Sequence, residues 1–213
     1  ATPEHGCFLA HLPHCAEHRL YPDPTLGFHA RPWDVTVIGN MNATYYPHRV
    51  RLRDLTLKVL KKRGYRVRVL KHPGYRRPAP DGTYAEADYA RELSLSKVVL
   101  SCSGHQRAAF LKYVEGPMAG AVFGADLPMD RPFLARTTLD LPLYARDSDL
   151  LERIEHVLDD EDAWRAIARP AHELVRTYRT MDRFAEMFFT AWNAWVASRY
   201  APGIWRPDEE AAR

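Results

Sequence analysis

Hydrophobic positions along this chain follow two regimes. Up to about residue 146, short β-branched runs alternate with stretches that are apolar at helical spacing; from Asp147 onward the spacing is helical throughout. Val35-Thr36-Val37-Ile38, closed by Gly39-Asn40, predicts a buried strand ending in a turn. Tyr45 to Arg63 predicts a helix, with Pro47 suited to its first turn, Leu52, Leu55, Val59 and Leu60 along one side, and Gly64 as its C-terminal cap. Val67 to Leu70 predicts a second strand. The loop from Lys71 to Gly82, rich in Pro and Gly, covers either a ligand or solvent. A helix over Tyr84 to Leu95, a third strand over Lys97 to Ser101, a helix from about His105 to Met118 and a fourth strand over Gly120 to Gly124 complete the first regime.

Strands alternating with helices in this rhythm imply βαβ crossovers, hence an α/β, doubly wound, Rossmann-like parallel sheet. The second regime adds C-terminal helices. Leu150, Leu151, Ile154, Val157 and Leu158 form one apolar stripe, and Trp164, Ile167 and Leu174 form another. The last helix, Asp182 to Tyr200, sets Phe184, Met187, Phe188, Trp192 and Trp195 along one side, more than this sheet alone can cover; a second domain is expected to take the rest. Residues 1–32, rich in Pro and His without a sustained period, read as an irregular interdomain lead-in from a longer chain. The expected organisation is therefore 1–32 linker, 33–146 Rossmann-like domain and 147–213 closing helical segment.

Composition narrows the function classes. With 213 residues, 46% hydrophobic and 27% charged, the chain is an ordinary globular one. No apolar run approaches the roughly 20 residues of a transmembrane span, and the first residues lack a secretory pattern, so a cytoplasmic location is expected. Three cysteines without CxxC spacing suggest neither a disulfide framework nor a zinc site. A net charge of +3 calls for no nucleic-acid partner, although the basic stretch from Arg49 to Arg77 suits either a solvated face or an anionic ligand.

Ligands of open parallel sheets bind beyond the carboxyl ends of the strands. The loops after the strands therefore hold the candidate chemistry. Ser101-Cys102-Ser103-Gly104-His105, placed just before an expected helix, reads either as a plain cap or as a cradle for phosphate oxygens. Neither a GxGxxG fingerprint nor a P-loop lysine pattern occurs, which disfavours nicotinamide and ATP chemistry. Glu115, near the end of a helix that runs into small residues, reads either as an exposed helix glutamate or as an acceptor for ribose hydroxyls. His14 and His18 lack a third ligand, so no metal site is expected, and Asp126 and Asp130 read as loop residues without DxD spacing. Cys102 beside His105 reads as a packed thiol, because further members of a catalytic triad are missing.

The run KYVEGPMAGAVFGADLP resembles the donor-site signature of retaining GT-B glycosyltransferases, in which a glutamate before a small-residue turn binds the nucleotide ribose. WDVTVIGN with YYPHRVRL is similar to the first strand and helix of their C-terminal, donor-binding domain, in the glycosyltransferase group 1 branch that includes spore-maturation-type enzymes. YARELSLSKVVLSCSG, the closing-helix run LLERIEHVLDDEDAWRAIARPAHELVRTYRTMDRF and the linker-like LPHCAE extend the resemblance over nearly the whole chain. It implies that Glu115 contacts ribose and that Ser103, Gly104, His105 and Lys112 lie near the diphosphate or sugar. Arg49 is the candidate phosphate partner, since a guanidinium offers a bidentate fork, and Lys71 and His72 flank the base. Many members carry a second glutamate where this chain has Arg107.

The activity implied is hexosyltransferase-like transfer from a UDP-sugar or GDP-sugar, with retention and without a metal or other cofactor. The acceptor base would come from an N-terminal Rossmann domain or a partner subunit. The alternative is a noncatalytic nucleotide-sugar-binding subunit that needs such a partner.

Overall fold

The computed structural model describes residues 13–23, 25–71, 86–128 and 132–200. In chain order the elements are β1 (Trp33–Gly39), α1 (Pro47–Leu55), β2 (Val67–Lys71), α2 (Glu86–Ser94), β3 (Ser96–Leu100), α3 (Lys112–Met118), β4 (Val122–Ala125), α4 (Pro132–Ala135), β5 (Leu139–Asp140), α5 (Asp147–Asp159), α6 (Glu161–Tyr178) and α7 (Met181–Tyr200). All strands pair in parallel, in the order β2-β1-β3-β4-β5.

Successive side chains of a strand point to opposite faces, so the β-branched runs supply two cores. Val35, Val37, Val98, Leu100 and Val122 meet Leu52 and Leu55 of α1, Leu150 and Ile154 of α5, and Trp164 of α6 on one face. Ile38, Val99, Phe123 and Ala125 meet Leu93 of α2, Tyr113 and Met118 of α3, and Val175 of α6 on the other. Helix α6 thus serves both cores, its first turns on one face and its last on the other. The expected doubly wound α/β sheet is what the chain forms.

Four features depart from the sequence reading. The short β5 has no counterpart in it, because two residues carry no period. Beyond α1 the helix continues as a π-helical turn over Thr56–Leu60 and a 3-10 turn over Lys61–Arg63. There the Thr56 hydroxyl donates to the Leu52 carbonyl at 2.6 Å and competes with the main-chain ladder. Gly64, at φ +100°, closes the helix as expected. The third departure is the late start of α3: the helix expected from His105 begins at Lys112, because Gly104 (φ +73°) and Arg107 (φ +51°) hold the preceding loop in the left-handed region.

The fourth concerns the lead-in, whose described part is fastened to the domain. Arg31 is fully buried and donates to the carbonyls of Leu26, Ser94, Ser96 and Ala119 at 3.0, 2.9, 2.8 and 3.3 Å. Burial pushes its pKa down to about 10, which leaves it charged at neutral pH. A bridge between Ala16 and Thr180 ties the lead-in to the α6–α7 junction. Helix α7 beyond that junction leaves Phe188, Phe189 and Trp192 43%, 59% and 50% exposed, so its aromatic face finds no cover among the described residues. No described helix is long and apolar enough to cross a membrane.

Candidate functional site

In this strand order the connection from β1 leads to one side of the sheet and the connection from β3 to the other. The carboxyl ends of β1 and β3 therefore flank the topological switch point, where open α/β sheets leave a crevice for ligands. The loops that follow, 40–46 and 101–111, form its lips.

Arg49, in the first turn of α1, lies across the base of this crevice. Its Nη1 donates to the Asn40 carbonyl at 2.8 Å on the β1 side. On the β3 side its Nε donates to the Ser101 hydroxyl at 3.1 Å and its Nη2 to the Cys102 carbonyl at 3.3 Å. The guanidinium carbon lies 4.1 Å from the Tyr46 ring centroid, a cation–π contact. The backbone at position 39 favours glycine. Its φ is +107°, and a Cβ there would lie 2.8 Å from Nη1 of Arg49 and 3.1 Å from Cε of Lys112. Two cations of the sequence reading, Arg49 and Lys112, therefore converge on one strand end. His48, next to Arg49, hydrogen-bonds the Leu141 carbonyl through Nε2 at 2.9 Å, and burial pushes its pKa down, so it adds no charge here at neutral pH.

Lys112 opens α3 and is half-buried. Among the described residues its ammonium makes neither a hydrogen bond nor an ion pair, and desolvation pulls its pKa below the ordinary lysine value while the nearby Glu115 partly restores it. Glu115, one turn on, is also half-buried, and its charge together with burial raises the pKa of Tyr89 on α2. The glycines of the Glu115-Gly116-Pro117-Met118-Ala119-Gly120 run serve packing. A Cβ on Gly116 would meet the Phe123 ring at 2.6 Å, and Gly120, at φ +68°, lies against Thr25 of the lead-in.

The Ser103–His105 turn differs from both readings of the sequence, since no helix follows it directly and its amides are engaged within the protein. The Ser103 amide donates to Asp126 Oδ1 at 2.9 Å and its hydroxyl to the other carboxylate oxygen. The Gly104 amide donates to Cys102 Sγ at 3.3 Å, and the His105 amide to the Tyr45 carbonyl at 2.8 Å, a second tie across the crevice. Ser103 is buried, whereas the His105 side chain is exposed. Arg107 is exposed as well and donates to the Leu127 carbonyl at 3.4 Å.

Lys71 ends β2 and pairs in register with Gly39, which places its backbone at the same edge; His72 lies outside the described residues. Asp126, read as a loop acid, is buried and central to this end of the sheet, because its carbonyl also accepts the Tyr113 hydroxyl at 2.5 Å. A buried acid after a strand of small residues was the available signal. No cluster of His, Cys, Asp and Glu able to hold a metal ion occurs among the described residues.

No family model and no curated protein sequence matches the chain. Its structure is similar to sucrose-phosphate synthase from Thermosynechococcus elongatus, at TM-score 0.60 and 14% identity over 87% of this chain and 52% of that one. A GtfA/B complex gives TM-score 0.59 at 13% identity, over 86% of this chain and 39% of that one. A glycosyltransferase from Rickettsia africae gives 0.58 at 9% identity, over 87% and 56%. The chain spans only about half the length of these structures, and identities this low speak to the fold. Sheet order, flanking helices and these likenesses agree on the fold: the chain forms a doubly wound, Rossmann-like α/β sheet similar to part of these structures.

Proposed function

We propose that this chain is the nucleotide-sugar-binding half of a glycosyltransferase that uses a UDP- or GDP-sugar. The observation that carries the reading is the pair Lys112 and Glu115 on α3, beside the switch point. A half-buried ammonium that makes no hydrogen bond or ion pair among the described residues suits a diphosphate, and an acid one turn away suits the vicinal hydroxyls of a ribose. The exposed His105 at the lip is the candidate sugar contact, and Lys71 and His72 are the candidates for the base side.

Sugar transfer then follows from charge placement. As the glycosidic bond to the diphosphate breaks, negative charge grows on the leaving phosphate, and Lys112 stabilises it more than it stabilises the ground state. Retention, independence from metal and a cytoplasmic location belong to this proposal. So does a second Rossmann domain or partner subunit that brings the acceptor, with the aromatic face of α7 as a surface for it; without that half the chain is expected to bind donor but not to transfer.

A thermal-shift screen against UDP, GDP, their sugar conjugates and ADP, without added metal, tests the reading. Selective stabilisation by a uridine or guanosine diphosphate is expected, on the order of 2.7 kcal/mol at a hundredfold excess over Kd. Equal response to every nucleotide, or to none, counts against it.

A further inference from the structure

We infer that Arg49 is a positioning residue that sets the width of the crevice, and that it does not itself grip the phosphate. The inference rests on the nucleotide-sugar reading of the site and refines it. Arg49 is 2% exposed, and three of its donors are taken by protein acceptors on both lips: Asn40 after β1, and Ser101 and Cys102 after β3. The contacts around it repeat the same span. The Ser101 hydroxyl donates to the Ile38 carbonyl at 3.4 Å, and the His105 amide reaches the Tyr45 carbonyl. Tyr46, from the β1 lip, stacks on the guanidinium and also touches the β3 lip, where a Cβ on Gly104 would come within 3.1 Å of its ring. A rigid fork with donors in fixed directions can hold these acceptors together; a lysine, a point charge on a flexible stem, cannot. Arg49 therefore fixes where the lips stand, and Lys112 is left to meet the phosphate.

The two roles separate by ligand. A phosphate contact matters to a nucleoside diphosphate and not to its nucleoside, whereas the distance between the lips matters to both. Calorimetry would compare UDP with uridine, or GDP with guanosine where GDP binds more tightly, on the wild type, Arg49→Lys, Arg49→Met, Ser101→Ala and Lys112→Met. Expected is a loss of about tenfold for both Arg49 variants, the same for the diphosphate and the nucleoside, and a smaller but equally shared loss for Ser101→Ala. Lys112→Met should weaken the diphosphate alone.

Arg49→Lys within twofold of wild type for UDP, with Arg49→Met losing UDP and sparing uridine, overturns the inference and makes Arg49 a direct phosphate ligand. Unchanged binding by the Arg49 variants overturns it too. Should those variants not fold, Ser101→Ala decides: a loss shared equally by UDP and uridine is expected, and a loss confined to UDP, or none, overturns the inference. A wild type that binds neither UDP nor GDP defeats the donor reading itself, and this inference with it.

Discussion

Asp126 holds Ser103 by two bonds at once: one carboxylate oxygen accepts the serine amide at 2.9 Å and the other accepts its hydroxyl. This pairing, buried at the carboxyl ends of β3 and β4, ties the loop after β3 to the end of β4. Asp126→Ala leaves the buried Ser103 amide without its acceptor, which costs about 1–3 kcal/mol, and leaves the hydroxyl only the Gly104 carbonyl at 3.5 Å. A lower melting temperature and weaker donor binding are expected together. Full stability in Asp126→Ala would show that the loop holds its shape without this anchor.

Gly39→Ala tests the convergence of the two cations. The substitution meets both a left-handed backbone and the close approach of Arg49 and Lys112. A stability loss of about 1–3 kcal/mol in denaturant melts is expected from the backbone alone. Weaker UDP or GDP binding should accompany it, since neither cation can keep its place. Donor affinity at the wild-type level would contradict the geometry.

Lys112 gives the donor site a pH dependence. Burial lowers its folded-state pKa below the ordinary 10.5, and a bound diphosphate favours the charged form. Affinity should therefore be complete at neutral pH and fall as pH rises through that lowered value. Lys112→Arg, which keeps its charge, should lack this decline while sharing any titration of the base. Identical alkaline profiles for the two proteins would remove Lys112 from the ligand.

Far from the crevice, Asp34 gives an acid-side prediction. Burial acts to raise its pKa, but hydrogen bonds from Arg66 and Lys97 outweigh this and hold it at about 2, against an ordinary 3.8. A carboxylate depressed on folding contributes stability that is complete above about pH 4 and is lost as pH falls toward about 2. Asp34→Asn also strands the buried Lys97 ammonium, 2.8 Å away, so a loss of about 3 kcal/mol is expected at neutral pH. Urea melts should show the gap between the two proteins narrowing below pH 4; a constant gap would contradict the assignment.

What was legible in the sequence was whatever repeats locally. Val35 to Ile38 and Lys97 to Leu100 announce buried strands by β-branched runs, and Leu150 to Leu158 announces α5 by its period. Glu115 and Lys112 stand three apart on a helix, so their shared face could be read as well. The rest depends on contacts between distant segments. Asp126 gains its role only when β4 lies beside β3, and Arg31 only when the lead-in reaches the carbonyls of Ser94, Ser96 and Ala119. The left-handed Arg107, which helps to end the loop before α3, has no composition signal because arginine rarely adopts that conformation. Arg49 was recognisable as a cation near the site, but its engagement by acceptors on both lips is a matter of three dimensions.

Calorimetry of UDP and GDP against their 2′,3′-dideoxy analogues, on the wild type and on Glu115→Ala, tests the donor site most directly. Wild type is expected to bind one natural diphosphate and to lose tenfold or more of that affinity with the ribose hydroxyls, as expected for hydrogen bonds to a charged group of about 1.5–3 kcal/mol. Glu115→Ala, still folded, should bind the natural and dideoxy forms alike. A dideoxy penalty that persists undiminished in Glu115→Ala, or no binding of either nucleotide by the wild type, would contradict the assignment of this crevice to a nucleotide-sugar donor.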